Sequence, residues 1–421
     1  MVLARNLLIA ALMLMMWAAV AGFGAISGWW LTPVAPKGDT AAFFNAAIKM
    51  VNEQSRGNTA LVLIDDGAVY TEHYEPSVDD IDRQTLFPLA SLSKWVTAYG
   101  AMQLVQAGKL DLDAPISRYL TRWNLPVGAF DNAGVTVRRL LSHTAGLTDE
   151  LGFGDYDRDE QIPSLVASLQ QPRSSSGTAT IAVGLEPGTA WMYSGGGYLI
   201  LQLIIEEVSG MRFAQWMQQA VFDPLGMHRS TYDYPGNQEN ASRSFDASGK
   251  PMTPYQYAVA AATGLSSSAA DLIRFAQVQL HRDNKDTHVL RPDNIRMMRQ
   301  PHGQMFGTDI WGLGVMLYAP TTSGDYVFGH DGSNEPAINA ALRINPDNKD
   351  AIIVLVTGNP TLATAIAFEW TLWQTGVPDF LMLDRVMESA LMPFLLGLLF
   401  IMVMSGLLAI GGRHWKSRLL T

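Results

Sequence analysis

An α+β fold is predicted, with one antiparallel sheet built from both ends of a single domain and a helical subdomain between them. Three observations carry that reading. Two short strand-like runs stand near the start, a long helical middle follows, and strand character returns near the end. Strands and helices do not alternate, which argues against a parallel α/β sheet. No internal repeat, low-complexity tract or linker divides the stretch.

Ala60–Ile64 and Val69–His73 are apolar, β-branched runs joined by Asp65-Asp66-Gly67, a hairpin signal. Ser91–Ala107 is expected as a helix, with Trp95, Ala98, Met102 and Val105 at helical spacing and Gly108 past its end. Further helical stretches are Val137–Ser142, Gly197–Val208 ending before Gly210, Phe213–Phe222 and Ala269–Leu280. Strands follow at Trp311–Tyr318, Tyr326–Phe328, Ile338–Ile344 and Ala351–Thr357. The last two flank Asn345-Pro346-Asp347-Asn348, a turn sequence. Leu362–Gln374 is the final helix of the domain.

Of the 421 residues, 48% are hydrophobic and only 16% charged, against about 25% charged in ordinary globular chains. Two terminal segments explain the excess. No charge occurs between Arg5 and Lys37, and Leu7–Ile26 is almost wholly apolar, long enough for a bilayer core. Residues 1–36 are therefore an N-terminal membrane anchor or a signal peptide. In the second case Leu7–Trp17 is the apolar region and Ala19-Val20-Ala21 the cleavage site; Trp29 and Trp30 suit an interfacial anchor in the first. Residues 37–378 form the folded domain, 379–389 a linker, 390–412 a C-terminal transmembrane helix and 413–421 a cytoplasmic tail. Pro393 falls in the first turn of that span, and Arg413, His414, Lys416 and Arg418 follow it, a basic cluster of the cytoplasmic kind. With both ends inside, the domain lies on the periplasmic side of a bacterial inner membrane. The membrane is thus one expected partner.

A net charge of −10 argues against nucleic acid as a partner. The absence of cysteine excludes disulfides, thiolate nucleophiles and Cys-ligated metals. There is no G-x-S-x-G elbow, no GK[ST] phosphate loop and no H-E-x-x-H, and the eight histidines are scattered. No metal site and no cofactor are expected. What remains is Ser91-Leu92-Ser93-Lys94, whose first and last residues share a helical face one turn apart. A desolvated lysine there would lose proton affinity and could take the serine's proton; an N-cap serine beside a solvated lysine is the plainer alternative. Tyr193-Ser194-Gly195-Gly196-Gly197 is a tight turn leading into a helix. Gly329-His330-Asp331-Gly332-Ser333-Asn334 follows a strand whose backbone N–H groups could face a cleft; the plainer reading is a hairpin turn with a surface histidine.

These segments, in this order, resemble the penicillin-recognising serine hydrolases, the superfamily of class C β-lactamases, D,D-peptidases and related esterases. The resemblance covers about Ala42 to Gln374 and implies a β-lactamase/transpeptidase-like fold. Its S-x-x-K, Tyr-x-Asn and Lys/His-x-Gly elements fall on Ser91/Lys94, Tyr193 and His330/Gly332. Leu140–Leu147 and Glu186-Pro187-Gly188 also look like segments of that family, with structural roles. The resemblance implies Ser91 as nucleophile, Lys94 and Tyr193 sharing the proton work, and an oxyanion hole from the N–H groups of Ser91 and Ser333. Gly195, His330, Gly332 and Ser333 would line the substrate cleft.

Two departures bear on substrate. Gly195 stands where the family has an amide-bearing asparagine, and His330 where lysine is common, giving at most a partial positive charge near neutral pH. Both lean away from an efficient β-lactamase. The expected activity is a membrane-anchored serine hydrolase acting on small-molecule esters or on D-residue-containing peptides and amides. A β-lactamase or D,D-carboxypeptidase proper is one alternative, and a catalytically silent protein that binds cell-wall fragments or a partner is another.

Overall fold

The computed structural model describes residues 2–149, 155–174, 177–178, 180–233, 238–280 and 289–418. An eight-stranded antiparallel sheet forms the middle of the domain. Its order is Gly303–Met305, Thr308–Trp311, Met316–Pro320, Tyr326–Asn334, Ile338–Asn345, Asp350–Thr357, Thr59–Asp65 and Ala68–Glu75. The sheet therefore joins both ends of the domain, as expected. The early strand Thr59–Asp65 pairs with Asp350–Thr357 along its whole length, from Thr59↔Val356 to Ile64↔Ala351.

Side chains alternate across each strand, and the two faces enter different cores. Ala60, Val62, Ile64, Phe328, Leu342 and Ile353 pack against the helical middle. Leu61, Leu63, Val327, Ala341, Ile352 and Val354 pack against two helices, Thr40–Gln54 and Leu362–Thr375. The first of these was not foreseen, although Phe43, Ala47 and Val51 sit at helical spacing and are buried. Trp373 stacks on Phe43 at 4.9 Å and its indole donates to the Pro36 carbonyl.

Several boundaries move. The Trp311–Tyr318 run is two strands separated by Gly312–Val315, and Gly314, with φ 75°, has no room for a side chain against Ala98. Phe213–Phe222 changes at Gln218 from α-helix to a π-turn. The strand expected to stop at Phe328 continues to Asn334, so the Gly329–Asn334 motif is strand and not turn.

The N-terminal helix spans Val2–Ile26 and the last one Leu383–Arg418. The first contains Leu8–Ile26 and the last, with the 3₁₀ turn Phe380–Met382 before it, contributes Phe380–Leu407, two stretches long and apolar enough to cross a membrane. They pack on each other: the Trp17 indole donates to the Phe394 carbonyl and lies where any side chain at Gly397 would have to stand. Ala25, Phe368, Val386 and Ala390 extend this contact into the domain. The last helix thus starts seven residues ahead of the expected Ala390, and Pro393 lies inside it. Residues 379–389, expected as a linker, are packed: Asp379 and Val386 are fully buried. Of the expected tail 413–421, residues 413–418 continue the helix, and 419–421 lie outside the described residues.

Candidate active site

The chain reaches the first motif through the short strand Leu86–Pro88, paired with Ser266–Ser268. Ala90 then takes a left-handed conformation, φ 47°, at a cost of about 1–2 kcal/mol for an L-residue. Ser93 holds that reversal: its hydroxyl donates to the Ala90 carbonyl at 2.6 Å and accepts from the Leu265 N–H at 3.0 Å. Ser91 consequently sits in a 3₁₀ turn, Ala90–Leu92, just ahead of the helix Ser93–Gln106. The winding is continuous, so Ser91 and Lys94 still share a face.

Lys94 is 2% exposed. Its ammonium donates to Ser91 Oγ at 3.2 Å and to the Ala262 carbonyl at 3.1 Å. Burial pushes the lysine down to about 7, opposed in part by the charge of Asp149. The solvated-lysine alternative is therefore excluded. The Tyr193 ring lies 4.8 Å from Lys94 Nζ, and its hydroxyl is hydrogen-bonded to Ser91. Burial holds that phenol above its ordinary value, with the Ser91 contact opposing. Ser91, Lys94 and Tyr193 are thus one contact group.

The turn behind Tyr193 is built around Asp149. Ser194 caps the helix Gly195–Ser209 by accepting from Gly197 N at 2.8 Å and donates to Asp149 Oδ1 at 2.5 Å. The Gly196 N–H donates to Asp149 Oδ2 at 2.7 Å, and a Cβ at Gly196 would stand 2.8 Å from that oxygen. A carboxylate at a helix N-terminus is favourably placed. Gly195 is the first residue of this helix and brings no amide to the wall beside Tyr193.

His143 stacks on Tyr193 with ring centroids 4.3 Å apart. Its Nδ1 accepts from the Ser194 N–H at 3.0 Å, so in the neutral ring the proton sits on Nε2, which has no partner. Burial, then the charges of Lys94 and His330, hold it far below the usual imidazole range. Trp311 closes the wall, 5.4 Å from Tyr193 and 5.4 Å from His330.

The third motif lies on Tyr326–Asn334. His330 and Gly332 face the helical side, while Asp331 faces the opposite one. A Cβ at Gly332 would stand 2.2 Å from the Leu89 carbonyl and 3.0 Å from Ser91 N, so only glycine lets this strand lie against the nucleophile turn. Asn339, fully buried, donates to the Gly332 carbonyl at 3.0 Å and accepts from Thr364 N at 2.9 Å, fixing the strand there. Ser333 is exposed and its hydroxyl donates to the Pro360 carbonyl. His330 is fully buried, not a surface residue. Its Nδ1–H donates to the Asp331 carbonyl at 2.5 Å, and burial pushes the ring down to about 3, with Lys94 adding to the effect. The partial charge expected of it is absent at neutral pH.

Of the seven expected residues, Ser91 lies on the 3₁₀ turn, Lys94 in the first turn of the helix after it, Tyr193 and Gly195 at the capped helix start, and His330, Gly332 and Ser333 on the adjoining strand. Asp149 and Asn339 were missed. Asp149 follows the Leu140–Leu147 segment by two residues, and the glycine run at 195–197 is the signal that an anion caps that helix. Asn339 is polar within an apolar strand, which calls for a buried partner. Among the described residues no group of three or more His, Asp or Glu side chains is arranged to hold a metal.

A family model described as Beta-lactamase matches residues 43–370. Penicillin-binding protein 4* of Bacillus subtilis (strain 168) is 36% identical over 149 residues, 35% of this chain and 30% of that protein. Esterase EstB of Burkholderia gladioli is 29% identical over 160 residues, 34% of this chain and 37% of the esterase. Less than two fifths of either relative is therefore spanned. The octameric penicillin-binding protein homologue from Pyrococcus abyssi superposes with a TM-score of 0.64 at 23% identity, over 80% of this chain and 78% of the other.

Proposed function

Because the chain belongs to the Beta-lactamase family, we propose that it is a serine hydrolase that forms an acyl-enzyme on Ser91 and acts on esters or on D-residue-containing peptides and amides at the outer face of a membrane. The observation that carries this reading is the buried Lys94 ammonium 3.2 Å from Ser91 Oγ, with its proton affinity lowered to about 7. A neutral amine at that distance can accept the hydroxyl proton as Oγ attacks a carbonyl carbon. Tyr193 is held protonated by burial, which favours Lys94 as the base and Tyr193 as the relay that protonates the leaving group. The tetrahedral oxyanion would sit between the N–H groups of Ser91 and Ser333, on the backbone that Gly332 brings close. Such donors contribute several kcal/mol, on the order of 2.7–4 for one of them. Water then frees the acyl group from Ser91.

The neutral His330 and the missing amide at Gly195 support esters over β-lactams, and an esterase is among the relatives. Two apolar terminal helices in mutual contact support membrane anchoring. With the basic cluster after the second span, they support a periplasmic domain.

The experiment is a hydrolysis panel of nitrophenyl esters, nitrocefin, D-Ala-D-Ala peptides and acyl-D-amino-acid amides, run beside covalent labelling with a fluorophosphonate. Labelling of the wild type, none of Ser91→Ala, and turnover of esters is the expected outcome. Failure of the wild type to label would overturn it in favour of a binding protein.

A further inference from the structure

Directly behind the catalytic strand lies a charged group that the chemistry above does not use. Strand alternation turns Asp331, between His330 and Gly332, to the face away from Ser91. There it meets Arg343 of the neighbouring strand, which is 0% exposed. Arg343 Nη2 lies 2.5 Å from Asp331 Oδ2, and Nε lies 3.3 Å from Oδ1. The Tyr318 hydroxyl donates to the same Oδ1 at 3.0 Å, and its ring lies under the guanidinium at 3.7 Å. Arg343 Nη1 donates to Thr371 Oγ1 at 3.0 Å on the covering helix.

The second anion of the group comes from outside the domain. Asp379 Oδ2 is 2.8 Å from Arg343 Nη1, and Asp379 is also 0% exposed. Its other oxygen accepts from Leu381 N at 2.8 Å, capping the turn Phe380–Met382 that leads straight into the last helix. Residue 379 stands nine positions beyond the segment the family shares. One guanidinium thus holds two carboxylates, one on the catalytic strand and one at the head of the apolar terminal helix. Burial, and the proximity of Asp331, push the Asp379 carboxyl up to about 6 although Arg343 opposes this. Breaking such a buried pair costs far more than its formation yields, so separating the strand from the helix head is unfavourable.

We propose that Asp379 is a positioning residue: through Arg343 and Asp331 it fixes the His330–Ser333 backbone against Ser91, so that the seating of the last helix sets the oxyanion hole. The inference rests on Ser91 being the nucleophile. It requires that loosening Asp379 misplace donors that act in the transition state, lowering kcat while leaving KM nearly unchanged.

The test uses full-length protein in detergent micelles, with active sites counted by fluorophosphonate labelling and turnover of a nitrophenyl ester expressed per labelled site. Asp379→Ala is expected to lower kcat about tenfold, since displacements of the order of 1 Å cost up to about a hundredfold, with KM within about twofold of wild type. Asp379→Asn, which keeps the side chain's size and the oxygen that caps Leu381 N while losing the charge, is expected to fall between the two, and keeps the test open should the alanine variant not fold. An unchanged kcat per site in either variant, with only a lowered melting temperature, overturns the proposal. So does a change confined to KM. A wild type that neither labels nor turns over refutes the Ser91 reading instead, which keeps the two failures apart.

Discussion

Under the proposed mechanism Lys94 sets the pH dependence. Its ammonium is pushed down to about 7 by burial, and only the neutral amine accepts the Ser91 proton. The neutral fraction grows as pH rises, so kcat/KM for an ester should climb through about pH 7 and level off above it. His330, down at about 3, does not titrate in that window, and burial holds His143 below its ordinary range as well. A profile flat from pH 5.5 to 8.5 would remove Lys94 as the base. Replacing Ser91 by alanine should abolish labelling while leaving circular dichroism unchanged; a labelled mutant would point to another nucleophile. Selectivity is expected to turn on Gly195 and His330. A lost contact to a substrate amide costs about 1–3 kcal/mol when a partner is left unpaired, and a neutral imidazole gives a carboxylate no charge. Nitrophenyl acetate should therefore turn over faster than nitrocefin, and Gly195→Asn should raise nitrocefin turnover relative to the ester. The reverse preference in the wild type would show that Gly195 carries no such weight. The sequence alone pointed to Ser91, Lys94 and Tyr193, because spacing and order of residue types survive folding. It did not disclose that His330 is uncharged, since burial is a property of what surrounds a side chain.

Secondary structure was legible where composition and bounding signals agreed, as in Ser93–Gln106 ahead of Gly108 and the continuous apolar, β-branched run Asp350–Thr357. It failed at the third motif. Gly329, Gly332 and Ser333 look like a turn, yet these residues remain strand because they pair in register with Ile338–Ile344, and at Gly332 the turn that carries Ser91 lies too close for a side chain. That proximity gives a direct test. A Cβ at Gly332 would stand 2.2 Å from the Leu89 carbonyl and 3.0 Å from Ser91 N, so Gly332→Ala must push the strand away from Ser91. Ester turnover is expected to fall by about a hundredfold or more, with the labelling rate falling in parallel. Turnover within threefold of wild type would mean that the strand does not supply the oxyanion donors. The helix Thr40–Gln54 escaped notice for a different reason. Phe43, Ala47 and Val51 form a narrow apolar stripe, and its meaning appears only once the sheet face it covers is known.

At the scale of the molecule, the α+β class and the joining of both ends in one sheet were readable from the order of elements. The pairing of the two terminal helices was not, because apolar composition specifies a membrane-length span without naming its neighbour. Trp17 against Gly397 supplies that detail. In the antiparallel pair both termini lie at the same end, and under the proposed membrane anchoring the Arg413–Arg418 cluster would put that end in the cytoplasm. An alkaline phosphatase fused after Thr421 should be inactive in cells, whereas a fusion within the folded domain should be active. High activity of the C-terminal fusion would invert the topology.

The pairing of Thr59–Asp65 with Asp350–Thr357 also has a consequence for biogenesis. The first strand emerges from the ribosome about 300 residues before its partner, a separation that makes late, non-local closure unavoidable. At about 5–20 residues per second the early hairpin waits some tens of seconds, with one edge unpaired. The eight-stranded sheet stays incomplete during that interval, and the completing strands appear only just before the last apolar helix. Closure of the sheet around the candidate site and arrival of the second apolar helix are thereby forced into nearly the same moment of synthesis.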